Sequence, residues 1–382
     1  MNWLWTSAAI LQCAMLWWLW RGGRQRLAPR HDPGAGTLKD APRAGMIIPA
    51  AGTHPNMPAA LRSLLRQDYP NLIPVIVTAT ADEPAADLAR TLRQEFPSLR
   101  HVVAGQADGC GQKNHNTLRA IEALGEEPDI YVFCDSTHTA PPGFVRSLLR
   151  PIISGEANFS TGYHMVVAED DGLITRAYQL CVLLMRLLQA VAVFTQPWGG
   201  AMAMRRDAFQ RLDLKRFWAG NVVDDCSLAG LLLRRRERVV LCPDALLMTA
   251  ARAHSLPIWR AWMDRQILFL KFCVPSQWVM LGLFAALMLL TPLRSLLLLS
   301  GAGGPAMWLC AAVHLTALAA IMSRWREFLP EGAPLGVWLR GVAASTCMFA
   351  WVFLRTIPAT GILWHGIYYS VGRGGAVRAM RR

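Results

Sequence analysis

The sequence predicts an α/β protein, with a Rossmann-like cytosolic domain held between membrane helices at its N-terminal and C-terminal ends. Strand-like and helix-like segments alternate at short spacing between residues 45 and 256, which is the pattern of a largely parallel sheet. One of them, Ile130-Tyr131-Val132-Phe133-Cys134, is an apolar run ending in Asp135, so a buried strand would deliver a carboxylate to its carboxyl end, where open α/β sheets bind ligands. Long charge-free stretches stand outside that region, at the start of the chain and after residue 274.

Composition supports this division. The 382 residues are 53% hydrophobic and only 17% charged, too apolar for an ordinary soluble enzyme and too polar for a chain that is membrane throughout. The formal charge of +13 raises the question of nucleic acid, yet the arginines are scattered around apolar segments with no dense basic run. An anionic bilayer surface is the better partner, and no nucleic acid is expected. The nine cysteines lack CxxC or metal spacing and read as reduced, packed thiols.

Residues 1–20 contain no charge and five tryptophans, and Arg21, Arg24, Arg26 and Arg30 follow. This predicts an uncleaved anchor with the next domain in the cytoplasm, by the positive-inside tendency. Residues 21–44 read as a linker. Strands are expected at Met46–Pro49, Ile73–Thr78, His101–Ala104 and Asn158–Val166, with helices at Leu61–Gln67, Pro84–Phe96, Lys113–Leu124 and Phe144–Leu149. Leu173–Phe194 is long and apolar, but Gln179, Arg186 and Gln189 interrupt it, which favours a helix closing the core or lying at the interface. Residues 257–274 form an amphipathic interface helix carrying Trp259, Arg260, Trp262 and Arg265.

Residues 275–357 hold two charge-free spans and a third candidate, Leu335–Leu354, interrupted by Arg340. A full crossing by the third would leave Arg373, Arg378, Arg381 and Arg382 outside, so it is either re-entrant or an exception to the charge rule. Residues 358–382 are a cytosolic or interfacial tail. So few spans favour a single transfer over polymer export.

Three acidic sites follow successive elements of the cytosolic half: Asp82, Asp135 and the pair Asp224-Asp225. Singly, each reads as a cap or solvated loop residue. Together at strand ends they fit nucleotide-sugar transfer, which needs carboxylates for the nucleotide end, for a divalent cation on the diphosphate and for a base. Trp198-Gly199-Gly200 is small enough for a bulky group to approach closely. His115 and His138 read as loop or supporting residues, not zinc ligands. No Gly-x-Ser-x-Gly, Walker or Gly-x-Gly-x-x-Gly pattern stands in its required context, against a hydrolase, kinase or dehydrogenase.

Several motifs occur together in order: Pro49, Gln67-Asp68-Tyr69-Pro70, Asp82-Glu83-Pro84-Ala85, Lys113-Asn114-His115-Asn116, Cys134-Asp135-Ser136, Asp224-Asp225, Trp364-His365-Gly366, Tyr368 and Gly374-Gly375. Nearly the whole chain thereby resembles the ceramide glucosyltransferase family, glycosyltransferase family 21, a membrane branch of the inverting GT-A enzymes. The resemblance implies a GT-A domain over residues 45–256, with Pro49, Ala50, Thr80, Asp82, Lys113, Asn116 and Asp135 binding the nucleotide sugar. It further implies a divalent cation, Mg2+ or Mn2+, at Asp135, with Asp225 as catalytic base beside Asp224. The family's (Gln/Arg)-x-x-Arg-Trp motif falls on Trp262-Met263-Asp264-Arg265-Gln266, where only Arg265 matches. The family's first aspartate falls on Thr80.

The activity so implied is inverting transfer of a hexose, with glucose expected, from a UDP-sugar to the hydroxyl of a ceramide-like lipid at the bacterial inner membrane. Asp225 would act as base, Arg265 would offset the leaving phosphate, and Trp198, Gly199, Gly200, Trp262 and Gln266 would line the acceptor groove. Diacylglycerol, a hopanoid or a polyprenyl phosphate is the alternative acceptor. A sugar-nucleotide or lipid-binding protein without turnover is the rival class.

Overall fold

The computed structural model describes residues 2–28 and 41–382. Half of the expected linker, residues 29–40, lies outside the described residues. In order the elements are α1 (Asn2–Arg26), β1 (Ala44–Pro49), α2 (Met57–Leu65), β2 (Leu72–Thr78), α3 (Pro84–Glu95), β3 (Arg100–Val103), α4 (Gln112–Leu124), β4 (Ile130–Cys134), α5 (Phe144–Ile153), β5 (Phe159–Ala168) and α6 (Leu173–Gln189). Then come β6 (Ala201–Arg205), α7 (Arg206–Arg211), α8 (Leu214–Trp218), α9 (Asp225–Arg235), β7 (Val239–Ala251), α10 (Leu256–Cys273), α11 (Pro275–Leu297), α12 (Pro305–Arg324) and α13 (Leu335–Thr356). Three short strands close the chain: β8 (Gly361–Trp364), β9 (Ile367–Val371) and β10 (Val377–Arg381).

The main sheet runs β3-β2-β1-β4-β6-β5-β7. β1, β2, β3 and β4 are parallel, as the alternation predicts, but β6 runs antiparallel to both β4 and β5. The sheet is therefore mixed, since the short segment Ala201–Arg205 enters between two strands of the other direction. All five β4 side chains are buried, as expected for a central strand covered on both faces. Filling those faces stabilises the sheet by roughly 1.5–3 kcal/mol for each large side chain. Antiparallel pairing of Cys134 with Ala201 brings Gly199 and Gly200 beside Asp135, whose amide donates to the Gly200 carbonyl at 3.4 Å.

Among the described residues three helices are long and apolar enough to cross a membrane: Pro275–Ala302, Pro305–Phe328 and Leu335–Thr356. α1 packs on α11 and α12 through polar contacts as well as apolar ones. Gln12 Oε1 pairs with His314 Nε2 at 3.0 Å, and His314 Nδ1 with Ser295 Oγ at 2.7 Å. Its other face exposes Trp3, Leu4, Ile10 and Leu11. α1 extends to Arg26, so Arg21, Arg24 and Arg26 belong to its last turns and not to a linker. α6 stops at Gln189 and is largely buried against β5 and α13.

The tail is structured. β8, β9 and β10 form an antiparallel sheet against α10 and the Asp224-Asp225 loop. Val222 donates to the Gly375 carbonyl at 2.9 Å, Val377 to that of Gly220 at 2.9 Å, and the Arg382 guanidinium to that of Ala107 at 2.6 Å. Chain segments at both ends of α13 are tied to the catalytic half. Before it, Glu331 Oε1 accepts from the Ala168 amide and the Arg176 guanidinium. After it, the Lys271 ammonium donates to the carbonyls of Thr356, Ile357 and Ala359 at 2.7–2.8 Å.

Candidate active site

Lys113 is the hub. It stands at the second position of α4, a poor place for a cation because the helix N-terminus carries partial positive charge. Carboxylates from two other elements compensate: Nζ lies 2.8 Å from Asp135 Oδ1 and 3.0 Å from Asp224 Oδ2. The helix start is held there by Gly111, whose amide donates to the Asn221 carbonyl at 2.9 Å and where a Cβ would stand 2.0 Å from the Val222 oxygen. Gly199 is constrained in the same way, since its Cβ would meet Asp224 Oδ2 at 2.5 Å and Lys113 Nζ at 2.8 Å.

Asp225 joins this cluster through Gly199, whose amide donates to Oδ2 at 2.9 Å, while the Cys226 amide donates to Oδ1 at 2.6 Å. Burial and the charge of Asp224 push its carboxyl up to about 6, against the opposing pull of Lys113. Asp135 goes the other way: burial alone would raise it, but the Lys113 ammonium and His138 hold it well below the usual carboxylate range. Despite its own burial, Lys113 is held cationic by Asp135, Asp224 and Asp225. Neighbouring carboxylates with separated proton affinities are the arrangement that lets one accept a proton while the other stays ionised. Asp224 is buried, and among the described residues neither of its oxygens receives a well-directed hydrogen bond and Lys113 is its ion-pair partner.

A ring cluster adjoins the carboxylates. The Trp198 indole stacks on His164 at 4.7 Å and 8°, with Tyr163 at 5.0 Å and His138 at 5.4 Å. Thr249 Oγ1 bonds the Nδ1 atoms of His138 at 2.6 Å and His164 at 2.9 Å, which leaves His138 Nε2 facing Asp135 Oδ2 at 3.8 Å. Burial keeps His164 neutral.

From Asp225 a cavity of about 340 Å³ opens between helices. Its walls come from α1 (Trp18), α6 (Leu184, Leu188), α10 (Gln266, Leu270), α11 (Met280, Phe284) and α13 (Phe349), and Trp198 stands at its inner end. Asp225 is the one charged residue on its lining among the described residues.

The remaining predicted residues are placed as follows. Pro49 and Ala50 end β1, and the Ala50 amide donates to the Val77 carbonyl at 2.8 Å. Asp82 points to solvent, whereas its neighbour Glu83 accepts from the Ala79, Thr80 and Gly52 amides at 2.7–3.1 Å and so ties together the loops after β1 and β2. Asn116 is buried and accepts from Gln112 at 2.7 Å. Trp262, one turn before Gln266 on α10, is not part of the cavity lining; its ring stands edge-on to Tyr178 at 5.1 Å. Arg265 is half-buried beside Tyr178 and His365, with no carboxylate partner among the described residues. Sequence reasoning missed Glu83, Thr249, His164 and the cavity residues Gln196 and Gln277; only Glu83, inside a quoted motif, carried a signal.

The profile of glycosyl transferase family 21 matches residues 3–377. The chain belongs to that family. A search among curated proteins gives no match. Of solved structures, a mannosyltransferase from Pyrobaculum calidifontis, in complex with GDP-Man and Mn2+, is similar at 16% identity and a TM-score of 0.52. That match covers 89% of this chain and 98% of the other. Glucosyl-3-phosphoglycerate synthase from Mycobacterium tuberculosis is similar at 18% identity and a TM-score of 0.39, over 64% and 85% of the two chains. The family 21 chain is thus a glycosyltransferase with a GT-A fold.

Proposed function

We propose that this family 21 enzyme transfers a hexose, with glucose the expected sugar, from a UDP-sugar to the hydroxyl of a ceramide-like membrane lipid, with inversion. One observation carries the reading: Asp225 belongs both to the Lys113 carboxylate cluster and to the lining of the cavity between the apolar helices. A sugar donor on one side and a lipid on the other would meet there.

Asp225 takes the proton of the acceptor hydroxyl while that oxygen attacks the anomeric carbon. The bond from that carbon to the diphosphate breaks, and UDP leaves with the electron pair. The two amides on Asp225 fix its orientation while leaving lone pairs for the incoming proton. Lys113 keeps Asp135 ionised and holds Asp224 in place, and Arg265, without a carboxylate partner among the described residues, offsets charge on the departing diphosphate.

The residues fit a hard divalent cation, as in the mannosyltransferase solved with Mn2+. Asp135 offers carboxylate oxygens at a strand end beside His138, and the Asp224 oxygens lack hydrogen bonds. Among the described residues no three such side chains close on one point, which suits a cation that takes its other ligands from the donor's phosphates. Such an ion supplies charge neutralisation at the diphosphate.

α1, the expected N-terminal anchor, is not among the three helices long and apolar enough to cross; of those three, α11 and α12 are assigned as crossings and α13 to the headgroup layer. This puts Arg373, Arg378, Arg381 and Arg382 on the catalytic side, and the ties of both ends of α13 to that side support it. The test is to incubate bacterial membranes containing the protein with a panel of UDP-sugars and to analyse the lipids by mass spectrometry. A lipid gaining one hexose is expected; sugar-nucleotide binding without any modified lipid overturns the reading in favour of a binding protein.

A further inference from the structure

The cavity lining carries amides where a phosphate site would carry cations. Gln189, Gln196, Gln266 and Gln277 are its amide-bearing residues, from α6, the loop after it, α10 and the first turn of α11. Gln189 is spent on the backbone: Oε1 accepts from the Gln196 amide at 2.8 Å and Nε2 donates to the Gln196 carbonyl at 3.1 Å. That double bond fixes the loop that continues through Pro197 and Trp198 to Gly199, the residue donating to Asp225. The Gln196 side chain then donates through Nε2 to Gln277 Oε1 at 2.6 Å. Two amides joined by one such bond leave one carbonyl and one amino group over, whichever way round each amide is placed. Neither leftover group has a protein partner among the described residues, and neither is sealed from the cavity.

We propose that the Gln196–Gln277 pair is the specificity-determining element for the acceptor. On this view it hydrogen-bonds a second polar group next to the reacting hydroxyl and so selects uncharged lipids with two adjacent hydrogen-bonding groups over simple alcohols and over lipid phosphates. The inference rests on the lipid-acceptor reading above. Charge supports it: among the described residues no Lys or Arg lines the cavity, and the single charged lining residue, Asp225, repels an anion. Depth supports it too, because Gln277 stands in the first turn of α11, a helix long and apolar enough to cross a membrane, and so at the level of lipid headgroups.

The test uses the full-length protein in detergent micelles with the UDP-sugar that gives turnover. Three probes of one chain length are compared: a long-chain 1,2-diol, the matching mono-alcohol and the matching alkyl monophosphate. The diol is expected to exceed the mono-alcohol by about ten-fold in kcat/KM, the value of one well-made hydrogen bond, with the monophosphate unused. Gln196→Leu and Gln277→Leu should each erase the diol advantage and leave the KM for the UDP-sugar unchanged. Retained turnover of the mono-alcohol shows that these variants are folded. A diol preference that survives both substitutions, or a monophosphate glycosylated as readily as the diol, overturns the proposal while leaving the transferase reading intact. Sugar transfer to no lipid at all overturns both.

Discussion

The two halves of the candidate site are built on opposite principles. Around Lys113 the protein buries charge against charge, in short contacts supported by glycines that leave no space for a methyl group. The cavity between the helices has almost no charge and is held by apolar packing and a few amides. A buried ion network loses much when one member is removed, because the partner is stranded in low dielectric. An apolar cavity shared among five helices tolerates single changes better. Substitutions should therefore separate the halves by size of effect.

The largest effect is expected from Lys113→Met, which strands Asp135 and the buried Asp224. Turnover should fall at least about a thousand-fold and stability by roughly 3–5 kcal/mol, read by single-turnover kinetics and thermal melting. Gly199→Ala comes next, since its methyl would collide with Asp224 and Lys113. A loss of about a hundred-fold in kcat is expected, with lipid binding retained in a pull-down with labelled vesicles. Stability as great as wild type in Lys113→Met would break the contrast.

A pH profile sharpens it. Asp225 must be ionised to accept a proton, and its carboxyl is pushed up to about 6, so kcat should climb through that pH and level off above about 7. Asp224→Asn removes the neighbouring negative charge that raises Asp225, so the acid limb should move to lower pH. An unmoved limb would assign the titration to another group. The smallest effects belong to α10 and the cavity wall. Trp262→Phe, off the cavity and against Tyr178, should change acceptor kcat/KM less than about two-fold, while Trp198→Ala should cost ten-fold or more in the same assay.

The same contrast governs what was legible in the sequence. Chemistry at strand ends could be read because Asp135, Lys113 and Asp225 each stand beside a segment of clear periodicity, so topology alone brings them near one sheet edge. The antiparallel β6 was not legible, since Ala201-Met202-Ala203 reads only as small and apolar and strand direction is a tertiary outcome. β7 was missed because Pro243 and Asp244 interrupt its thirteen residues, and β5 accommodates it through an irregular register at Thr161–Tyr163. The terminal sheet did carry a sign: His365-Gly366, both with positive φ, form a two-residue hairpin turn, where Gly in the second position is a usual marker. The cavity gave little beyond Trp198 and Gln266, which the family resemblance pointed to. Its walls are leucine, methionine, phenylalanine and glutamine from helices far apart in the chain, residues that read equally well as core.

The most direct measurement is made on Asp225→Asn, comparing UDP-sugar binding, lipid binding and turnover in the same preparation. If Asp225 is the base where the halves meet, both ligands bind within a few-fold of wild type while turnover falls by about a thousand-fold or more, within the range that general base catalysis supplies. Turnover within a few-fold of wild type would contradict that assignment.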